Sequence, residues 1–214
     1  AAPQPLIAAG LCERRTPSGV ALRGYVRNPA MVGRITQLQI VWHPRLRGGY
    51  GWVFPAPGGL FNIGTGLTGS HLVQRNGKGR MQDVNLRRML DDFCAVYAPA
   101  RELMAGGELL GDLKGAPLRC SLRGARWSRP GLLVTGEAAG STYAFSGEGI
   151  GKAMETGLLA AGARLEARAA GDDAVRRRYE AELRALQPRF DLYETASHVN
   201  HRPWIADLVV WRAR

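Results

Sequence analysis

The chain has 214 residues, 45% of them hydrophobic and 22% charged, and a formal net charge of +11 from 29 basic against 18 acidic residues. These are globular proportions, with enough length to bury a core as one large domain or parts of two. No apolar run approaches the ~18 residues of a membrane span. Three widely spaced cysteines, Cys12, Cys94 and Cys120, argue against a disulfide framework or a cysteine zinc site and fit a reducing, cytoplasmic compartment.

Only three of the basic residues are lysines, and the arginines are scattered from Arg14 to Arg214. The densest run, Arg176-Arg177-Arg178, is interleaved with Asp172, Asp173, Glu180 and Glu182. It reads as a solvated helix face, not the clustered stripe that binds nucleic acid. The start, Ala1-Ala2-Pro3-Gln4-Pro5, lacks the charged segment and apolar stretch of a signal peptide.

From Leu6 to Leu67 the pattern is that of strands. Val20 to Arg27 is bounded by Ser18-Gly19 and Asn28-Pro29, and Ile35 to Trp42 alternates in part with β-branched and aromatic residues. Tyr50 to Phe54 and Leu60 to Leu67 flank Pro55-Ala56-Pro57-Gly58-Gly59, a hairpin turn. An antiparallel sheet is expected. Thr68 to Arg80 is polar and reads as a loop. Helical spacing then brings Val84, Leu86, Met89, Leu90, Phe93, Cys94 and Tyr97 to one face, with Asp83 as cap and Pro99 as terminator. Pro117 to Ser121 reads as a short strand, Leu132 to Thr135 as a fully buried one, and residues 149–170 as a helix of small and apolar residues. Gly171-Asp172-Asp173 opens another helix, interrupted or restarted at Pro188, and Trp204 to Trp211 is apolar enough to dock.

The segment after Leu132 carries the chemistry. An apolar run ends at Gly136-Glu137-Ala138-Ala139-Gly140-Ser141, and Ser146-Gly147-Glu148-Gly149-Ile150-Gly151 opens the helix. Glycines let backbone N–H groups approach an anion, and a helix start supplies unpaired donors and a positive dipole end. A plain strand–turn–helix of any α/β protein would look similar. The four histidines, His43, His71, His198 and His201, form no ligand cluster, so no metal is expected. Ser141 and Ser146 lack a nucleophile-elbow context. Lys152 and Glu155 read as surface or helix-pair residues.

This order of Gly136-Glu137 and Gly147-Glu148-Gly149-Ile150, with Ala153-Met154 and Gly157 after it, resembles the second flavin-binding signature of the geranylgeranyl reductase family, FAD-dependent flavoproteins related to p-hydroxybenzoate hydroxylase. Tyr50-Gly51-Trp52-Val53-Phe54-Pro55 resembles that family's Tyr-x-Trp-x-Phe-Pro element. The resemblance implies an α/β (α+β) flavoprotein fold in part. Residues 1–125 would be a substrate-binding sheet domain with a helical insertion, 126–170 the C-terminal part of the FAD-binding domain, and 171–214 a helical region. It implies FAD as cofactor, held by Gly136, Glu137, Ala138, Gly147, Glu148, Gly149 and Ile150, with NAD(P)H or another reductant as electron donor. The implied reaction is reduction of C=C bonds in a prenyl or similar apolar substrate.

Strand alternation puts Tyr50, Trp52 and Phe54 on one face. With Pro55 they would wall an apolar pocket, or else form a core face beneath a helix. Tyr143 and Phe145 stand where relatives commonly have Asn-Pro, and would fill space near the flavin ring or simply pack. Glu137 replaces the family's usual Asp. No Gly-x-Gly-x-x-Gly is read in the chain, and so no strand–turn–helix unit for the ADP half of FAD; the chain is expected to be a C-terminal fragment of a longer enzyme, inactive alone. An apolar substrate also suggests peripheral membrane contact beside the cytoplasmic location. The alternatives are an aromatic hydroxylase of the same fold, or a non-catalytic basic binding module. No catalytic residue is assigned.

Overall fold

The computed structural model describes residues 3–11, 19–46, 48–69, 71–73, 79–81, 85–123 and 126–200. The elements are α1 (Pro3–Ala8), β1 (Gly19–Arg27), β2 (Gln39–Trp42), β3 (Tyr50–Ala56), β4 (Leu60–Thr68), β5 (His71–Val73), β6 (Gly79–Met81), α2 (Leu86–Val96), α3 (Ala98–Ala105), β7 (Glu108–Leu109), β8 (Lys114–Leu118), β9 (Ser128–Arg129), β10 (Leu132–Leu133), α4 (Ile150–Ala167) and α5 (Asp172–Asn200). The described residues form two compact units, one within 20–116 with 199–200, the other within 3–19 and 117–198.

In the first of these, the order β2-β3-β4-β1-β7 makes a sheet, and β8 also pairs with β1. β3 and β4 form the expected hairpin, antiparallel with Tyr50 opposite Gly66 and Trp52 opposite Gly64. Period-two alternation sorts the side chains. Val53, Phe61 and Ile63 join Leu22, Val26, Phe93 and Leu103 in one buried cluster under α2 and α3. Gly51 lies on that same face, and a Cβ there would stand 2.4 Å from the Phe93 ring. The sheet and helix therefore approach as closely as glycine allows.

Several expectations change here. Asn85 caps α2, its side chain accepting from the N–H groups of Arg87 and Arg88, while Asp83 lies outside the described residues. α2 already stops at Val96, and Pro99 sits in the first turn of α3, where its missing N–H costs nothing. Of the expected loop from Thr68 to Arg80, β4 extends to Thr68 and β5 pairs antiparallel with β6. Gly64-Thr65-Gly66-Leu67-Thr68-Gly69 does have the Gly-x-Gly-x-x-Gly spacing, but most of it lies in antiparallel β4 and no helix follows it. It is therefore no dinucleotide-binding turn.

The other unit rests on α5, which runs unbroken through Pro188 where a restart was expected. Tyr179 and Leu183 of α5 and Ala163 of α4 are buried together. The Tyr179 hydroxyl donates to the Val134 carbonyl at 2.6 Å, and burial pushes its pKa up. The expected buried strand at Leu132 is only a two-residue partner of β9, with Leu132 36% exposed. Pairing of this stretch among the described residues is limited to that hairpin, and burial in it is confined to Val134, Gly136, Ala139 and Gly140. The strand expected at 117–121 sits three residues earlier as β8, and Cys120 makes one parallel bridge to Thr142. The ends at Cys12 and Trp204 to Trp211 lie outside the described residues.

Candidate functional site

Gly136 opens a 3-10 turn, Gly136–Ala139, and its φ of +65° is the left-handed region that glycine enters without strain. A Cβ at this position would also meet that of Ala153 at 3.3 Å. The turn thus lies directly against the start of α4. Thr156, fully buried, locks the two together: its hydroxyl accepts the Gly136 N–H at 2.9 Å and donates back to the α4 backbone, with Lys152 and Ala153 carbonyls at 3.0 and 3.1 Å. Sequence reasoning passed over Thr156, whose only signal was a hydroxyl on an otherwise apolar helix face. Thr156→Val keeps the shape and removes the acceptor, orphaning a buried N–H at a cost of about 1–3 kcal/mol. A thermal melt checks this.

Glu137 follows at the surface of the turn. One carboxylate oxygen accepts the backbone N–H of Arg119 at 3.1 Å. This bond orients the carboxylate. Ala138 is half-buried and packs on the cluster of Leu6, Leu11, Val134 and Ala139.

Gly149 precedes α4, and a Cβ there would lie 2.9 Å from the Thr142 hydroxyl. α4 has no side-chain cap bond at its N-terminus, and the glycine sequence leaves its first-turn N–H groups approachable. The Glu148 carboxylate curls over Gly151, 2.7 Å from where a Cβ would be. Ile150 is 80% exposed. In the loop between the glycines, the Ser141 hydroxyl is buried with no hydrogen-bond partner among the described residues. An uncapped helix start, an oriented carboxylate and an orphaned hydroxyl suit a ligand rich in hydroxyl and phosphate groups.

Tyr143 is buried, stacked on Tyr193 with centroids 3.9 Å apart and 2° between planes, and tilted against Phe190 at 4.7 Å. Its ring also receives the Lys152 ammonium at 5.1 Å. Lys152 pairs with Glu155 at 2.7 Å, and that carboxylate raises the lysine pKa. Phe145 is half-buried in the same loop. Burial pushes the Cys120 thiol up to about 12, the Glu137 and Glu194 carboxylates adding to the shift, so it is no thiolate nucleophile at neutral pH. Among the described residues no group of three His, Cys, Asp or Glu could hold a metal.

The aromatic face lies in the other unit. Trp42, Tyr50, Trp52 and Phe54 form a ladder with centroids 6.1, 5.9 and 6.2 Å apart in succession. They line the side of the sheet opposite Val53 and Phe93. Trp52 and Phe54 are half-buried, as is Pro55, and neighbouring Ile40 is 39% exposed. The Trp52 indole N–H donates to Asn62 at 2.7 Å and the ring lies across Gly64. The sheet's helix-covered core face is the one bearing Gly51 and Val53, not this one.

No protein-family model matches the chain. Among solved structures, a geranylgeranyl bacteriochlorophyll reductase-like protein of Thermoplasma acidophilum matches 92% of this chain and 47% of its own, with TM-score 0.63 at 19% identity. HpxO of Klebsiella pneumoniae, complexed with FAD, matches 92% of this chain and 51% of its own, with TM-score 0.55 at 17% identity. The fold is that of the FAD-binding flavoproteins, in part. Among curated proteins, the digeranylgeranylglycerophospholipid reductase of Methanosarcina mazei is 36% identical over 60% of this chain and 28% of its own length. The menaquinone reductase of Mycolicibacterium smegmatis is 33% identical over 69% and 34%. The chain is similar to these reductases of prenyl lipids and quinone and spans about a third of their length.

Proposed function

We propose that the whole protein is an FAD-dependent oxidoreductase that reduces C=C bonds of a prenyl or similar apolar substrate. The observation that carries the reading is the Gly136–Ala139 turn, fastened by Thr156 to an uncapped glycine-rich helix start. The names of the relatives, reductases of a digeranylgeranyl lipid and of menaquinone, support the reaction class. FAD bound at this turn would supply the reducing equivalents, replenished by NAD(P)H or another reductant.

This chain's residues bind and shield. Glu137 accepts from a ribityl or ribose hydroxyl while the Arg119 N–H keeps it in place. The backbone around Gly147, Gly149 and Ile150 presents donors to phosphate or to the ring edge. Tyr143, held by Tyr193 and Phe190, gives the loop a rigid wall. Tyr50, Trp52 and Phe54 offer an apolar surface for the prenyl chain and exclude water from it, while Pro55, opposite Phe61 in register, falls by alternation on the other side of the sheet. A lipid substrate makes peripheral contact with a membrane surface part of the reading, with a cytoplasmic location. No helix among the described residues is long and apolar enough to cross a membrane.

Titration of the whole apo-protein with FAD, followed by flavin fluorescence, tests the site. Glu137→Ala should weaken FAD binding about tenfold to a hundredfold, the worth of a charged hydrogen bond at roughly 1.5–3 kcal/mol. Glu137→Gln, which can still accept the Arg119 N–H, should lose less. Unchanged FAD affinity in Glu137→Ala, with a lowered melting temperature, would make the carboxylate purely structural and remove it from the site.

A further inference from the structure

A cavity of about 530 Å³ opens on the unit that contains α5, lined by Ala9 to Leu11, residues 126–130 and one side of α5, with Leu11 and Trp127 also packed on the cluster that holds Ala139 of the turn. Its walls carry four guanidinium groups, from Arg126, Arg129, Arg176 and Arg184, against a single carboxylate, Glu180. The partners of these groups decide what the cavity can take. Arg184 donates to Glu180 at 2.7 Å. Arg176 pairs with Asp173 at 2.9 Å and donates to the Ser128 hydroxyl at 3.2 Å. Glu180 is further engaged by the Ser128 hydroxyl at 2.6 Å. Both acids are therefore already neutralised by the arginines of α5.

Arg126 and Arg129 remain. The Arg129 guanidinium donates only to a neutral group, the Ala9 carbonyl at 3.0 Å. The Arg126 side chain forms no ion pair among the described residues. Between them stands Trp127, whose indole N–H is buried and has no hydrogen-bond partner among the described residues. Two guanidinium groups that no carboxylate pairs, beside a tryptophan whose buried indole N–H has no partner among the described residues, match a dianion with several acceptor oxygens. Guanidinium forks fit phosphate oxygens in pairs, and the cavity is in the size range of small-molecule sites, about 300–1,000 Å³.

We propose that this cavity binds the phosphate of a small phosphorylated molecule, held by Arg126 and Arg129, with the Trp127 indole N–H as a third donor. The phosphate belongs to an inorganic polyphosphate or to a nucleotide.

Calorimetric titration of the chain with inorganic pyrophosphate and, separately, with ADP tests this. Saturable one-to-one binding is expected for at least one of them. The pair Arg126→Glu and Arg129→Glu should weaken it by about tenfold or more, because two charged donors are reversed. The charge-matched pair Arg87→Glu and Arg88→Glu, on α2 of the other unit, should leave it within about twofold if the attraction is local and not the long-range field of a basic protein. Equal affinities assign the site to phosphate groups alone, and tighter ADP binding assigns it to a nucleotide. Arg126 and Arg129 are both exposed, so the variants should fold. If the double variant melts early, Arg126→Gln and Arg129→Gln singly must each lose affinity. Absence of saturable binding, or equal loss in the control pair, would overturn the proposal.

Discussion

Phe93→Ala lowers the free energy of unfolding by about 3–5 kcal/mol, the range for removing a large aromatic from a packed core. Phe93 is fully buried, stacks on Tyr97 at 5.7 Å and fills the space that Gly51 leaves on the sheet. Denaturant unfolding measures the loss. Trp52→Ala, one residue along β3 and on the opposite face, should cost only roughly 1–2 kcal/mol, since a half-buried ring removes less apolar area from water. Its effect should fall on substrate: in the whole protein the KM for a prenyl substrate rises while kcat changes little. If Trp52→Ala destabilised as much as Phe93→Ala and left KM unchanged, the aromatic ladder would be core, and the apolar pocket would lose its support.

The second large effect is expected at Gly64. A Cβ there would stand 2.3 Å from the Trp52 ring and 2.4 Å from the Leu22 carbonyl. The indole could swing away, but the carbonyl belongs to the neighbouring strand of the sheet. Gly64→Ala should therefore cost about 3 kcal/mol, at the upper end of overpacking, because backbone must shift. It should also free the Trp52 indole from Asn62, and the tryptophan emission should move to the red. A variant with parental stability and emission would mean that the ring does not lie across this glycine. The contrast with Gly58 is useful, since a Cβ there meets nothing within 4 Å.

These two positions show how strand period carried information from sequence to structure. Alternation along Tyr50 to Phe54 was enough to assign the three aromatics to one side, because side chains on a strand alternate whatever surrounds it. It could not say which side the helices cover. That depended on Phe93, forty residues away, meeting Gly51. Likewise the order Gly136-Glu137 and Gly147-Glu148-Gly149-Ile150 marked the turn and the helix start, since glycine and helix-terminus chemistry is local. The Thr156 hydroxyl that joins them, and the Arg119 N–H that orients Glu137, come from elsewhere in the chain and left no local sign.

The helix boundaries divide in the same way. The helical spacing around Phe93 and the small-residue run after Gly149 were legible, because apolar periodicity reports a buried stripe. Pro188 was read as a break, yet α5 continues through it; Tyr179, Leu183 and Phe190 are buried on either side. Packing on both flanks outweighs the bond and the space that one proline costs. The sequence by itself determined the glycine-rich flavoprotein signature, the antiparallel hairpin and its aromatic face. Only the tertiary structure decided which face is core, which donors orient the carboxylate, and that Arg126, Arg129 and Trp127 share a cavity with α5, because each of these joins residues that sequence spacing keeps apart.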